Sequence, residues 1–181
     1  MKVLVIQNRM GIGDMVIFLP YIDAISKKFN TKVSLLVKKN TKSLEFLSDN
    51  PSIEEIIILD RDDKNKIGEH YGLTGIIKLA IDIKKKRFDK VFIFNSSIRY
   101  TLITKLAGIK NIYQYKLFNK KNQNIIETAK LFLKQKLNIE VESNPEIKIN
   151  LDQITEAKNK YKISDNQINI LLGVGGSGPT K

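Results

Sequence analysis

The chain has no cysteine. Disulfides, thiolate catalysis and cysteine-bound zinc are therefore excluded, although compartment is left open. It has one histidine, His70, in a polar stretch without a histidine partner for a metal or a nearby serine for a triad, so the sequence assigns it no role. Arginine is scarce: Arg9, Arg61, Arg87 and Arg99 are all there is, and lysine supplies the rest of a net charge of +12. Sequence-specific nucleic-acid readers lean on the planar guanidinium fork, so no nucleic-acid partner is expected. The lysines are scattered singly or in short clusters. They are either a solvated compositional bias or a general attraction to anionic partners, such as a sugar nucleotide, a phosphorylated lipid or an anionic membrane face. No apolar run approaches the ~20 residues that span a bilayer, and residues 3–6 are too short for a signal peptide core. The expectation is a cytoplasmic protein, with peripheral contact at the inner membrane face open to it. There is no internal repeat and no low-complexity tract.

What the chain does have is an alternation of strand-length apolar runs with segments of helical period. Strands are expected at 2–7, 32–37, 55–59, 90–94, 111–115, 146–149 and 168–172. Helices are expected at 14–29, 41–48, 73–87, 98–107, 124–137 and 154–160. In the first helix Val16, Ile17, Leu19, Tyr21, Ile25 and Phe29 are the apolar positions, Pro20 should kink or shorten it, and Asn30 should stop it. This βαβα order implies an α/β fold: a Rossmann-like parallel sheet with helices on both faces. The last expected strand runs into GVGGSGPTK without a following helix. The sequence therefore reads as an N-terminal domain over residues 1–160, with 161–181 the incomplete start of a second α/β domain of a longer protein.

Three loops carry candidate chemistry. Met10-Gly11-Ile12-Gly13-Asp14 follows the first strand, at the edge where open parallel sheets bind ligands. Gly11 and Gly13 permit a sharp turn and close backbone approach. Val16 stands where a dinucleotide fingerprint needs a third glycine or alanine, which disfavours nicotinamide binding. Asp14 is either a helix-start acid bonding free N–H groups or a chemical group. The segment 173–181 holds four glycines in six residues, a pattern suited to a phosphate cradle of backbone N–H groups. There Ser177 and Thr180 would add hydroxyls and Lys181 a positive charge; the alternative is a flexible interdomain loop. Asp60-Arg61-Asp62-Asp63 offers a D-x-D element that could hold a divalent metal or form a solvated loop. After the fourth strand, Arg99 could meet an anionic ligand, while Ser96 or Ser97 caps a helix.

The stretch QNRMGIGDMVIFLPYIDAI resembles the opening of glycosyltransferase family 9, the lipopolysaccharide heptosyltransferases, through Gly11, Gly13, Asp14, Leu19 and Pro20. FDKVFIFNSSIRYTLITKLAGIKNIYQY resembles the family's middle segment, and INILLGVGGSGPTK the first strand and phosphate loop of its C-terminal domain. The resemblance implies the N-terminal, acceptor-side domain of a two-domain GT-B enzyme that transfers a sugar with inversion and without an obligatory metal. The donor is a nucleotide sugar, ADP-heptose in the best-known members, and the acceptor a lipid-linked saccharide. Carried over, Asp14 is the catalytic base. Gly11, Gly13, Arg61 and Arg99 belong to the acceptor side or its loop. Gly175, Gly176, Ser177, Thr180 and Lys181 bind donor phosphate. No metal ligand and no cofactor is implied, and this stretch by itself is expected to be inactive. Two other readings stand beside this one: a metal-dependent glycosyltransferase using Asp60 and Asp62, and a non-catalytic nucleotide- or anion-binding module. The chain lacks the histidine that many members place near Asn124 and Glu127.

Overall fold

The computed structural model describes residues 1–117, 124–149 and 151–172. Its compact unit, Met1–Lys148, is built from β1 (Val3–Gln7), α1 (Ile12–Phe29), β2 (Val33–Lys38), a 3₁₀ turn (Lys39–Thr41), α2 (Ser43–Phe46), β3 (Ile53–Leu59), α3 (Gly72–Lys86), β4 (Lys90–Ile93), α4 (Ile98–Leu106), β5 (Asn111–Gln114) and α5 (Ile125–Leu137). The second unit, Ile149–Lys181, contains α6 (Leu151–Tyr161). Lys158 on α6 bonds Asp165 at 2.7 Å, closing the turn after the helix.

All strand pairs are parallel, in the order β3-β2-β1-β4-β5. β1 lies in the middle, with Val3 opposite Val33 on one side and Lys90 on the other. Every residue of β1 and β2 is buried, as expected of parallel strands covered on both faces. The strand alternation divides the core. Val3 and Val5 face a cluster built with α1 and α5, where Phe92, Phe94, Tyr115 and Phe132 pack edge to face and Phe92 stacks on Tyr113 at 4.7 Å. Leu4 and Ile6 face the opposite cluster, built with α3 and α4.

Several expectations change in detail. α1 runs from Ile12 to Phe29 straight through Pro20, so the proline does not shorten it. The buried Phe18, Leu19, Tyr21 and Ile22 hold that stretch against the sheet, and this packing outweighs the one backbone bond that proline removes. The buried side of α1 is Met15, Phe18, Leu19, Tyr21, Ile22 and Ile25, whereas Val16 and Ile17 are only half-buried. Asn30 does end the helix, in the left-handed conformation at φ 47°. The expected helix at 41–48 is a 3₁₀ turn plus the single turn α2.

The expected strands at 146–149 and 168–172 do not form. A strand needs a neighbour to take its N–H and C=O groups, and these segments pair with none among the described residues. Their apolar residues are exposed, to 97% at Leu171. The expected phosphate loop at 173–181 lies outside the described residues.

Candidate functional site

In this strand order the chain reverses direction between β1 and β4, and ligands of open α/β sheets bind outside the carboxyl ends at that point. The loops leaving β1 and β4, residues 8–11 and 94–97, flank it. The β1 loop turns into α1 at Gly11, whose φ of 101° only glycine adopts readily. Gly13 is already helical, in the first turn.

Asp14 stands in that same turn, at the positive end of the helix dipole. Gly11 offers no side-chain cap, and among the described residues the Asp14 carboxylate accepts no backbone N–H. Its partner is Arg9, with Nη1 3.6 Å from Oδ1, and the Asp14 side chain is 25% exposed. The helix-start position expected from the sequence is therefore correct, but its carboxylate is not spent on capping. Arg9 was not singled out by sequence, although one of only four arginines in a glycine-marked loop was a usable signal.

Polar groups missed by the sequence reading lie around this loop. Gln7, the last residue of β1, is completely buried, and among the described residues neither of its amide atoms has a hydrogen-bond partner. Tyr115, just past β5, has its hydroxyl in apolar surroundings. Burial raises its pKa above the ordinary tyrosine value, reinforced by Tyr21 and opposed by Arg9. On the α4 side, burial raises Tyr100 as well. Arg61, Asn8 and Arg99 pull the other way, and Asn8 and Arg61 approach the hydroxyl without aligning for a full hydrogen bond.

The loop after β3 builds the facing wall. Arg61 pairs with Asp63 at 2.6 Å, and Asp63 also takes Lys38 Nζ at 3.1 Å. Lys38 ends β2 and is almost fully buried. These residues and Met10 line an open groove of about 830 Å³ at the carboxyl edge. The structure therefore brings Arg61 and the β1 loop to one groove. A smaller cavity of about 190 Å³ opens at the same edge on the α5 side, between Ser96, Tyr115 and Phe132.

Asp60 and Asp62 share the larger groove, but both are occupied in folding the loop. Asp60 accepts the amide of Glu69 at 2.9 Å. Asp62 accepts the amides of Lys64 and Asn65 at 2.8 and 3.0 Å. The Asn65 amide and then the Asn65 side chain lead the causes that lower the Asp62 pKa. No cluster of three potential metal-ligating side chains occurs among the described residues.

Arg99 makes contacts that its sequence position does not foretell. It follows β4 as anticipated, and Ser97 is the residue that caps α4, accepting the amide of Arg99. The guanidinium, however, turns inward. Nη2 donates to the carbonyl of His70 at 2.5 Å and Nη1 to that of Gly72 at 3.0 Å. Burial, then the nearby Arg61 charge, lowers its pKa. Arg99 fastens the loop that carries Arg61 to the start of α4. His70 is buried rather than solvated: Nδ1 accepts the amide of Asp60 at 3.0 Å, which leaves its proton on Nε2, 3.7 Å from Asp82.

No family model matches the sequence, and no curated protein matches it. Solved structures do. A family 9 glycosyltransferase from Veillonella parvula aligns over 99% of this chain and 55% of its own length, with a TM-score of 0.73 at 18% identity. The chain shares the fold of about half of that glycosyltransferase structure. The E. coli ADP-heptose lipopolysaccharide heptosyltransferase II aligns over 91% of this chain and 52% of its own, with a TM-score of 0.60 at 17% identity. E. coli heptosyltransferase WaaC, solved with ADP-2-deoxy-2-fluoro heptose, covers 80% of this chain and 50% of its own, with a TM-score of 0.55 at 14% identity. The chain thus spans about half the length of the family 9 and heptosyltransferase structures it matches, and the likeness is one of fold.

Proposed function

We propose that the chain is the acceptor-side half of an inverting glycosyltransferase and that Asp14 is its general base. The observation that carries this reading is the position of Asp14. Its carboxylate lies at the carboxyl edge of the central strand, partly open to solvent and paired with Arg9, and among the described residues it bonds no backbone group. In the reaction, an acceptor hydroxyl attacks the anomeric carbon as Asp14 takes its proton, and the bond from that carbon to the nucleotide diphosphate breaks. A positioned base of this kind contributes about 10²–10⁴-fold. The donor is a nucleotide sugar, ADP-heptose by likeness to the heptosyltransferases, and the acceptor a lipopolysaccharide-core-like glycan. Arg61 holds anionic acceptor groups in the groove beside Met10. Gly175, Gly176, Ser177, Thr180 and Lys181 cradle the donor diphosphate and stabilise the charge that builds on it. Turnover needs a donor half facing this acceptor half.

The test is Asp14→Asn in the protein as its host expresses it, including any sequence beyond Lys181. Transfer from a panel of nucleotide sugars should fall about 10²–10⁴-fold in kcat, with KM little changed. Near-wild-type transfer by the variant sinks the base assignment. Saturable nucleotide binding by the wild type without turnover on any donor replaces the reading with a non-catalytic nucleotide-binding module.

A further inference from the structure

Helices α3 and α4 cover one face of the sheet and pack against each other. Each follows a parallel strand and returns from the carboxyl edge, so the two run side by side in the same direction. Arg99 ties their N-termini together through the Gly72 carbonyl. The inward residues are as expected: Ile76, Leu79, Ala80 and Ile83 on α3, and Tyr100 and Ile103 on α4. The outward side is unusual. On α3, Leu73, Ile77 and Ile81 are spaced by four and exposed to 81%, 57% and 49%. On α4, Ile98, Leu102 and Leu106 repeat the spacing and are also exposed. Residues four apart share a helix face, so each helix presents an apolar stripe beside the other. Single exposed aliphatic residues are ordinary, whereas a contiguous apolar patch marks an interaction surface.

The charges around the patch select the partner. Lys84 is seven residues from Ile77 and Lys105 seven from Ile98, so both continue these stripes. Lys110 follows α4. All three lysines are exposed and pair with no carboxylate among the described residues. α4 contains no acid, and the one acid of α3, Asp82, lies beside Lys85 and His70. An aliphatic patch bordered by unpaired lysines complements the boundary between anionic headgroups and acyl chains. It is poorly matched to a second copy of itself, which would set positive border against positive border in a chain of net charge +12.

We infer that the α3–α4 face docks on an anionic lipid bilayer. The exposed Leu73 and Ile98 lie at the helix N-termini, so the docked face reaches the carboxyl edge that holds Asp14 and Arg61. A lipid-linked substrate would meet the site from the membrane on which it resides. The docking itself does not depend on the transferase reading, because vesicle binding is measured without turnover.

The experiment is flotation of the whole protein with vesicles of phosphatidylglycerol and phosphatidylethanolamine, against vesicles of phosphatidylcholine alone. The wild type should float with the anionic vesicles only. Ile77→Ser/Leu102→Ser should weaken partitioning at least ~10-fold, with the thermal midpoint preserved because both sites face solvent. Lys84→Gln/Lys105→Gln/Lys110→Gln should weaken it about 100-fold. Leu131→Ser, an exposed leucine on α5, should float like the wild type. Failure of the wild type to float overturns the inference, as does full binding by the Ile77/Leu102 variant. A wild-type dimer in sedimentation velocity that this variant converts to monomer, with no lipid binding, assigns the face to self-association instead.

Discussion

Replacing Arg99 by leucine separates a structural clamp from a ligand-binding arginine. The guanidinium donates two hydrogen bonds, to the carbonyls of His70 and Gly72. A hydrogen bond from a charged donor contributes about 1.5–3 kcal/mol. Arg99 is only partly buried, so solvent screening puts each bond at the low end, about 3 kcal/mol for the two. Leucine also removes a charge disfavoured by burial and by Arg61, which offsets part of that loss. The expected net loss is therefore at most about 3 kcal/mol, and at about 2–4 °C per kcal/mol for a chain of this size the thermal midpoint should fall by several degrees, up to about 12 °C. Scanning calorimetry measures it. Arg99→Lys should lose roughly half as much, since an ammonium lacks the fork that reaches both carbonyls. The reasoning is refuted if Arg99→Leu unfolds within about 1 °C of the wild type while acceptor KM rises. That outcome would return Arg99 to the anion-binding role its sequence position suggests.

Two further outcomes follow from packing and burial. A Cβ on Gly75 would lie 2.2 Å from the His70 carbonyl carbon, so Gly75→Ala must push the β3–α3 loop off the helix. It should cost at least ~3 kcal/mol in urea unfolding, at the top of the overpacking range; a loss under 1 kcal/mol would contradict that packing. Tyr100 and Tyr115 have pKa values raised above 10.0, chiefly by burial. The folded state holds these protons more tightly than the unfolded chain, so their contribution is intact below pH 10 and is lost as pH rises through the folded-state values. In a spectrophotometric titration, Tyr100 and Tyr115 should resist ionisation until alkaline unfolding, and Tyr115→Phe should remove one of these late-titrating groups. Smooth titration of all six tyrosines near pH 10 while the fold persists would contradict the burial.

The parallel α/β architecture was legible because β1, β2 and β4 are mainly apolar runs, β2 interrupted only at Ser34, separated by helical periods, and Gly11 and Asn30 mark turns through their own backbone preferences. Strand identity was less secure. Residues 146–149 and 168–172 have strand composition, yet they have no ladder to join, and composition does not report whether a neighbour exists. Sequence correctly placed Asp14 at the start of α1. It could not tell that the carboxylate caps nothing, since that depends on which way the first turn faces.

Arg99 and the α3 stripe show the same division. Sequence put Arg99 after β4, but the direction of its guanidinium follows from two carbonyls that arrive from residues 70–72. In α3, Ile76, Ile77, Leu79, Ala80 and Ile83 all fit one broad apolar arc. The sheet and α4 cover only part of it, leaving Ile77 in solvent with Leu73 and Ile81. Local sequence thus determined where the chain is helical or extended and where it turns, because backbone preferences and apolar period act over a few residues. Tertiary structure decided which polar groups meet at the carboxyl edge and which apolar side of a helix stays open. Both depend on surfaces brought together from distant parts of the chain.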